Sequence, residues 1–161
     1  MRRNEVIMQV KTKWFGILEI GEDKIITFEK GLIGLAEFKR YTIVYNTEKS
    51  DAATIMWLQS IEDENIAIPV INPELFMPDY DPIIEDALLV SLGDVKTAEL
   101  IVLVTLTVPS DISKMTSNLK APIIINADNL KACQLIADNE KYTVKYPIYD
   151  IIKQNAKKGG E

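Results

Sequence analysis

The sequence predicts a mainly β fold, an antiparallel, barrel-like single domain with one or two short helices. Three observations carry this. Apolar residues rich in β-branched and aromatic types come in short, strand-length runs. Clusters of Gly, Pro, Asn and Asp separate those runs at close spacing, which is the punctuation of hairpin-rich sheets. One stretch alone, after Asp81-Pro82, reads as a helix. At 161 residues the chain is the size of one domain. A chain of that size buries roughly 68–70% of its unfolded surface, so its core needs no disulfide or metal to hold it.

In chain order, residues 8–20 mix alternation with Val10, Trp14, Phe15, Ile17, Leu18 and Ile20. Gly21-Glu-Asp-Lys24 reads as a turn into a second strand, Ile25-Ile-Thr-Phe28, the two strands forming a hairpin. Gly31-Leu-Ile-Gly34 beside Lys30 has the outline of a phosphate loop, but in an acidic chain it reads as a tight turn whose glycines supply positive φ. Tyr41-Thr-Ile-Val-Tyr45 is a strand and residues 46–52 an exposed loop. Thr54–Ser60 and Ile66–Ile71 read as strands joined by the acidic turn Glu62-Asp-Glu-Asn65. Pro69 lacks a ladder donor, which predicts an edge strand or a bulge.

Phe76-Met-Pro-Asp-Tyr80 is interrupted by proline and should be irregular. Asp81 then suits an N-cap and Pro82 the first helical position, with Ile83, Ile84, Ala87 and Leu88 at helical spacing and Gly93 as the stop. Glu99–Val108 is the strongest strand, apolar on both faces and expected to be covered on both. Residues 109–117 read as a polar loop. Asn118-Leu-Lys-Ala-Pro-Ile-Ile-Ile-Asn126 reads as turn, strand, turn, with Pro122 at the strand's entry. Residues 131–136 and 142–146 are expected to be strands either side of a polar turn. The core should span about residues 8–150, and residues 151–161 should fray.

Composition narrows the chemistry. The chain has no histidine, which removes imidazole bases, Ser-His-Asp and Cys-His pairs, and zinc sites that use imidazole. Cys133 is the single cysteine, so no intrachain disulfide can form, and a reducing, cytoplasmic setting is expected. In its apolar context it reads as a small core residue, as do Trp14 and Trp57. No apolar run reaches the roughly 18 residues of a membrane helix, and Met1-Arg-Arg-Asn-Glu is not followed by the apolar region of a signal peptide. Net charge is −6, which opposes direct nucleic-acid binding. Between Glu74 and Glu99 stand seven acids and one base, so that segment alone carries the whole excess.

Acids are therefore the only available chemistry. Asp79, Asp81, Glu85 and Asp86 could hold a divalent cation or act as an acid/base pair, which leaves open a metal-binding or carboxylate-dependent β-domain enzyme. Their spacing fits no EF-hand loop, and a solvated acidic face is the simpler reading. Interleaved with Phe76 and Tyr80, the same acids suit a surface that grips a basic protein segment.

Several blocks of the sequence resemble the flagellar assembly factor FliW family. They are Phe28-Glu-Lys-Gly31-Leu-Ile-Gly34-Leu35, Trp57-Leu-Gln-Ser60, Asn72-Pro73 with Pro78-Asp-Tyr80, Asn118-Leu-Lys-Ala-Pro-Ile-Ile-Ile-Asn126, and Gln134 with Tyr142. They match in order and spacing over about residues 8–146. The family more often has proline at the position of Ile33 and phenylalanine at that of Leu35, which touches only the turn. The resemblance implies a mainly β domain without catalytic activity, cofactor or metal. It implies a cytoplasmic regulator that binds two proteins in a partner-switching arrangement; the free chain is expected to be a monomer. One is CsrA, a translational repressor antagonised allosterically; the other is flagellin, through its C-terminal region. Neither nucleic acid nor membrane is an implied partner. The contact residues expected from charge and turn chemistry are Phe76, Asp79, Tyr80, Asp81, Glu85, Asp86 and Asn118.

Overall fold

A computed structural model describes residues 6–45, 55–93 and 99–153. Eleven strands are described: β1 (Ile7–Lys11), β2 (Ile17–Gly21), β3 (Ile26–Phe28), β4 (Arg40–Val44), β5 (Met56–Ser60), β6 (Ala67–Ile71), β7 (Leu100–Thr107), β8 (Thr116–Ser117), β9 (Ile123–Asn126), β10 (Lys131–Gln134) and β11 (Tyr146–Pro147). Seven of them close into a barrel in the order β7-β6-β5-β4-β3-β10-β9, with β9 pairing back to β7. The pairs are antiparallel except β3 with β10, which run parallel. Closure removes the unpaired edges that an open sheet of this kind would expose. The fold is mainly β and barrel-like, as the short punctuated runs require.

Side-chain alternation divides the core in two. Ile26, Phe28, Tyr41, Leu58, Val70, Leu103, Ile123 and Ile125 fill the barrel. Their neighbours Ile71, Val104 and Leu106 point to the other face. There Phe76, Met115, Leu119, Tyr142 and Ile148 cover them and build a second core outside the barrel. The β6 and β7 ends are thus buried on both faces, as expected of the long apolar strand. Its first residues, Leu100 and Ile101, remain exposed.

Local chemistry set several elements as the sequence predicts. β5 and β6 are joined by the acidic turn, where Ser60 Oγ accepts from the N–H groups of Glu62 (3.0 Å) and Asp63 (3.1 Å). The glycine turn is real: Gly31 and Gly34 have φ of 68° and 86°. A Cβ on Gly31 would lie 2.7 Å from Ala36 Cα, so no side chain fits there. Pro122 precedes β9 and leaves its ladder intact.

Other expectations are corrected. The first hairpin is β1 with β2, turned at Gly16 (φ 69°); β3 pairs with β4 and β10 instead. Pro69 lies in an interior strand, not at an edge. It pairs with Trp57 on one side, and on the other the β6–β7 ladder covers only Val70 and Ile71, so the missing N–H falls beyond the ladder's end. Of the strand expected at 142–146, only Tyr146 enters a ladder, and residues 109–117 hold a 3-10 turn and β8 rather than loop alone. Trp14 is not core: it is 57% exposed at the hairpin tip, its ring 5.9 Å from that of Trp57 and under Lys13 Nζ at 5.1 Å. Residues 149–153 are helical. The expected loop at 46–52 and the end of the tail fall outside the described residues.

Candidate protein-binding face

The acidic segment is a strap laid across the second core and pinned at both ends. It begins at Asn72, whose Oδ1 accepts from Glu74 N–H at 3.0 Å and starts a 3-10 turn at Pro73–Leu75. Phe76 is 7% exposed and stacks on Tyr146, 6.2 Å between centroids. Tyr80 is half-buried; its ring lies 4.7 Å from that of Tyr142 and its hydroxyl donates to the Leu119 carbonyl at 2.7 Å. Burial raises the Tyr80 phenol well above its ordinary value, with the Tyr142 hydroxyl adding to the effect. Both aromatics are therefore anchors beneath the strap, not part of the exposed gripping surface expected from sequence.

Next come the clamps. The Asp81 N–H donates to Tyr142 Oη at 2.7 Å, and the Ile83 N–H to Asn139 Oδ1 at 2.7 Å. Asn139 Nδ2 donates to the Asp81 carbonyl (3.0 Å), and the Asp138 N–H to that of Ile83 (2.8 Å). These bonds correct the predicted helix start. The Asp81 and Ile83 carbonyls, which an α-helix would pair with N–H groups four residues on, are taken by Asn139 and Asp138, so residues 81–85 form no helix and the helix, 3-10 in type, runs Asp86–Leu92. Gly93 ends it as predicted, at φ 80°. The orphan carbonyl of Leu92 accepts from Asn126 Nδ2 (2.9 Å) and Asn129 Nδ2 (3.1 Å).

Asp79, Asp81, Glu85 and Asp86 are all exposed along this strap. None forms an ion pair with a described residue. The described residues include no group of three or more His, Cys, Asp or Glu side chains placed to hold a metal ion. Asn118 lies elsewhere. Its Oδ1 accepts from the N–H groups of Lys120 (3.0 Å) and Ala121 (3.1 Å), closing the predicted turn, and its neighbour Leu119 takes the Tyr80 bond. Burial pushes the Cys133 thiol up to about 11, which keeps it a neutral thiol near pH 7. Tyr142 and Asn139, which fix the strap, were missed as functional supports. Asn139 carries only the signal of an ordinary turn residue.

A model of the FliW family, described as FliW protein, matches residues 9–148. The chain belongs to the FliW family. It is 54% identical to the flagellar assembly factor FliW of Lachnospira eligens over 148 residues, covering 91% of this chain and 98% of that protein. It is 49% identical to the flagellar assembly factor FliW of Lachnoclostridium phytofermentans, over 94% and 97% of the two chains. A crystal structure of a flagellar assembly factor FliW superposes with a TM-score of 0.78 at 29% identity, over 88% of this chain and 96% of that one. No helix among the described residues is long and apolar enough to cross a membrane.

Proposed function

We propose that the chain is a non-enzymatic regulator of flagellar assembly that acts by protein contact. It binds and allosterically antagonises the translational repressor CsrA, and it binds the C-terminal region of flagellin, the two partners exchanging. It works in the cytoplasm, as a monomer when free, without touching nucleic acid and without a cofactor. Family membership supports the flagellar role. The structural observation that carries the contact mechanism is the strap, which displays four exposed carboxylates, none in an ion pair with a described residue, on a backbone pinned by Tyr142, Asn139, Asn126 and Asn129.

Such a surface steers a basic partner at long range and then pairs with it locally. Close, desolvated charge pairs couple by about 1.5–7 kcal/mol, against roughly 0–1 kcal/mol for exposed ones, so the acids matter most where the partner covers them. A pinned backbone also avoids part of the ordering cost of binding. We assign the strap to CsrA. The test is a preformed complex of the chain with purified CsrA, challenged with purified flagellin and resolved by size-exclusion chromatography. Flagellin should release CsrA, and the chain alone should not retain flagellin messenger at physiological salt. Retention of the messenger, or contact with neither protein, contradicts this reading.

A further inference from the structure

The 3-10 helix that ends the strap packs on β10 and leaves a pocket between them. Alternation along β10 turns Ala132 into the barrel, where it is buried, and brings Lys131 and Cys133 to the pocket. Ala87, Leu88, Val90 and Ser91 of the helix line it as well, and the glycine turn adds Glu29, Lys30 and Gly31. Gln134 stands beside them, its amide held by the Ile33 N–H (2.9 Å) and the Ala121 carbonyl (3.1 Å). The pocket holds about 340 Å³, at the lower end of the roughly 300–1,000 Å³ of small-molecule sites.

Its lining joins aliphatic surface to a small surplus of positive charge. Leu88, Val90 and Leu135 are aliphatic, no aromatic ring takes part, and Val90 is 75% exposed, so water covers apolar surface there. Lys30 and Lys131 bring two positive charges against the single negative charge of Glu29. None of the three forms an ion pair with a described residue. The Lys39 and Lys120 ammonium groups are spent on the Glu29 and Asn139 carbonyls, whereas those of Lys30 and Lys131 have no acceptor among the described residues. The Ser91 hydroxyl also bonds to no described residue. By contrast, the groove beside Asn118 has no charged lining, and the hollow beside Tyr45 has three acids to one base.

A surplus of one positive charge matches one negative charge on the ligand. A phosphate monoester carries about −1.5 to −2 at neutral pH and would leave part of its charge uncompensated beside Glu29. A carboxylate fits, and the aliphatic walls favour an aliphatic body on it. We propose that this pocket binds a short aliphatic carboxylate, with its carboxyl group between Lys30 and Lys131, Ser91 Oγ donating to it, and its chain against Leu88, Val90 and Leu135. The site stands apart from the protein contacts proposed above and is tested without either partner.

Cys133 is the single cysteine and lines the pocket, so its alkylation by a small thiol reagent reports occupancy. The rate is followed at low salt while sodium hexanoate, n-hexylamine or inorganic phosphate is added, with Tm measured on each variant. Hexanoate should slow alkylation along a saturating curve, and the amine and phosphate should need higher concentrations for the same effect. Lys30→Gln and Lys131→Gln should each weaken hexanoate by about threefold, and Glu29→Gln should tighten it by about as much, all at unchanged Tm. These shifts of opposite sign separate a charge-matched site from one that is merely apolar. No saturable protection by hexanoate overturns the proposal. So does protection by the amine at equal concentration, or hexanoate binding that none of the three variants moves. Tighter protection by phosphate overturns the choice of a carboxylate.

Discussion

The acidic strap and the barrel wall it crosses are built on opposite principles. The inward face of the wall is closely packed: Leu58, Val70 and Ile123 are fully buried, and period-2 alternation sets which residues face in. On the strap the backbone is held by short local turns and by side chains from distant segments, while its own acids are exposed. The difference separates stability from recognition. The wall cannot be altered without cost to the fold, whereas the strap's carboxylates can be exchanged freely as long as its pins remain.

The sharpest contrast comes from the wall. Leu58→Ala, at a fully buried barrel position, should lose about 2–5 kcal/mol in urea unfolding. Partner affinity of the fraction that stays folded should not change. Asn118→Ala removes the acceptor for two backbone donors and should cost on the order of 0.5–2 kcal/mol, while Asn118→Asp should stay near wild type. Tyr142→Phe removes the acceptor for the Asp81 N–H. It should cost about 0.5–1.5 kcal/mol and speed hydrogen exchange of the 81–83 amides more than that of β5.

A pH effect is expected at the base of the barrel. Glu62 accepts from the N–H groups of Lys39 (2.6 Å) and Arg40 (3.1 Å) and faces the Arg40 guanidinium at 3.8 Å. The Lys39 bond foremost holds its carboxyl below the usual glutamate value. A depressed folded pKa stabilises above the unfolded pKa and is lost as pH falls through the folded one. The stability difference between wild type and Glu62→Gln should therefore be greatest near neutral pH and shrink in acid; a difference that grew in acid would reverse the assignment. Smallest of all, Glu85→Lys with Asp86→Lys should move stability by no more than about 0.5 kcal/mol.

What the sequence revealed follows from the range of the forces involved. Turn chemistry is local, so the Gly31 and Gly34 turn, the Glu62-to-Asn65 turn, the Gly93 stop and the Asn118 turn could all be read from neighbouring residues. The β3–β10 pairing joins strands about a hundred residues apart, and alternation within a strand carries no information on its partner. The helix start at Asp81 failed for the same reason: Asn139 and Asp138, distant in sequence, take the Asp81 and Ile83 carbonyls that a helix would have paired with its own N–H groups. Phe76 and Tyr80 stand among acids, so from sequence alone they belong to a surface that grips a basic partner. A helical segment and Tyr146, both near the end of the chain, roof that region and make it a second core.

On the proposed reading the strap recognises CsrA by charge and the barrel holds it in place. The most direct measurement is the CsrA affinity of wild type and of the Glu85→Lys, Asp86→Lys double variant across a salt series, with Tm taken on both. Wild-type affinity should fall steeply with salt, and the double variant should bind more weakly, with a flatter salt dependence, at nearly the same Tm. Equal affinity and equal salt dependence in the two chains would contradict the claim and remove the strap from the interface.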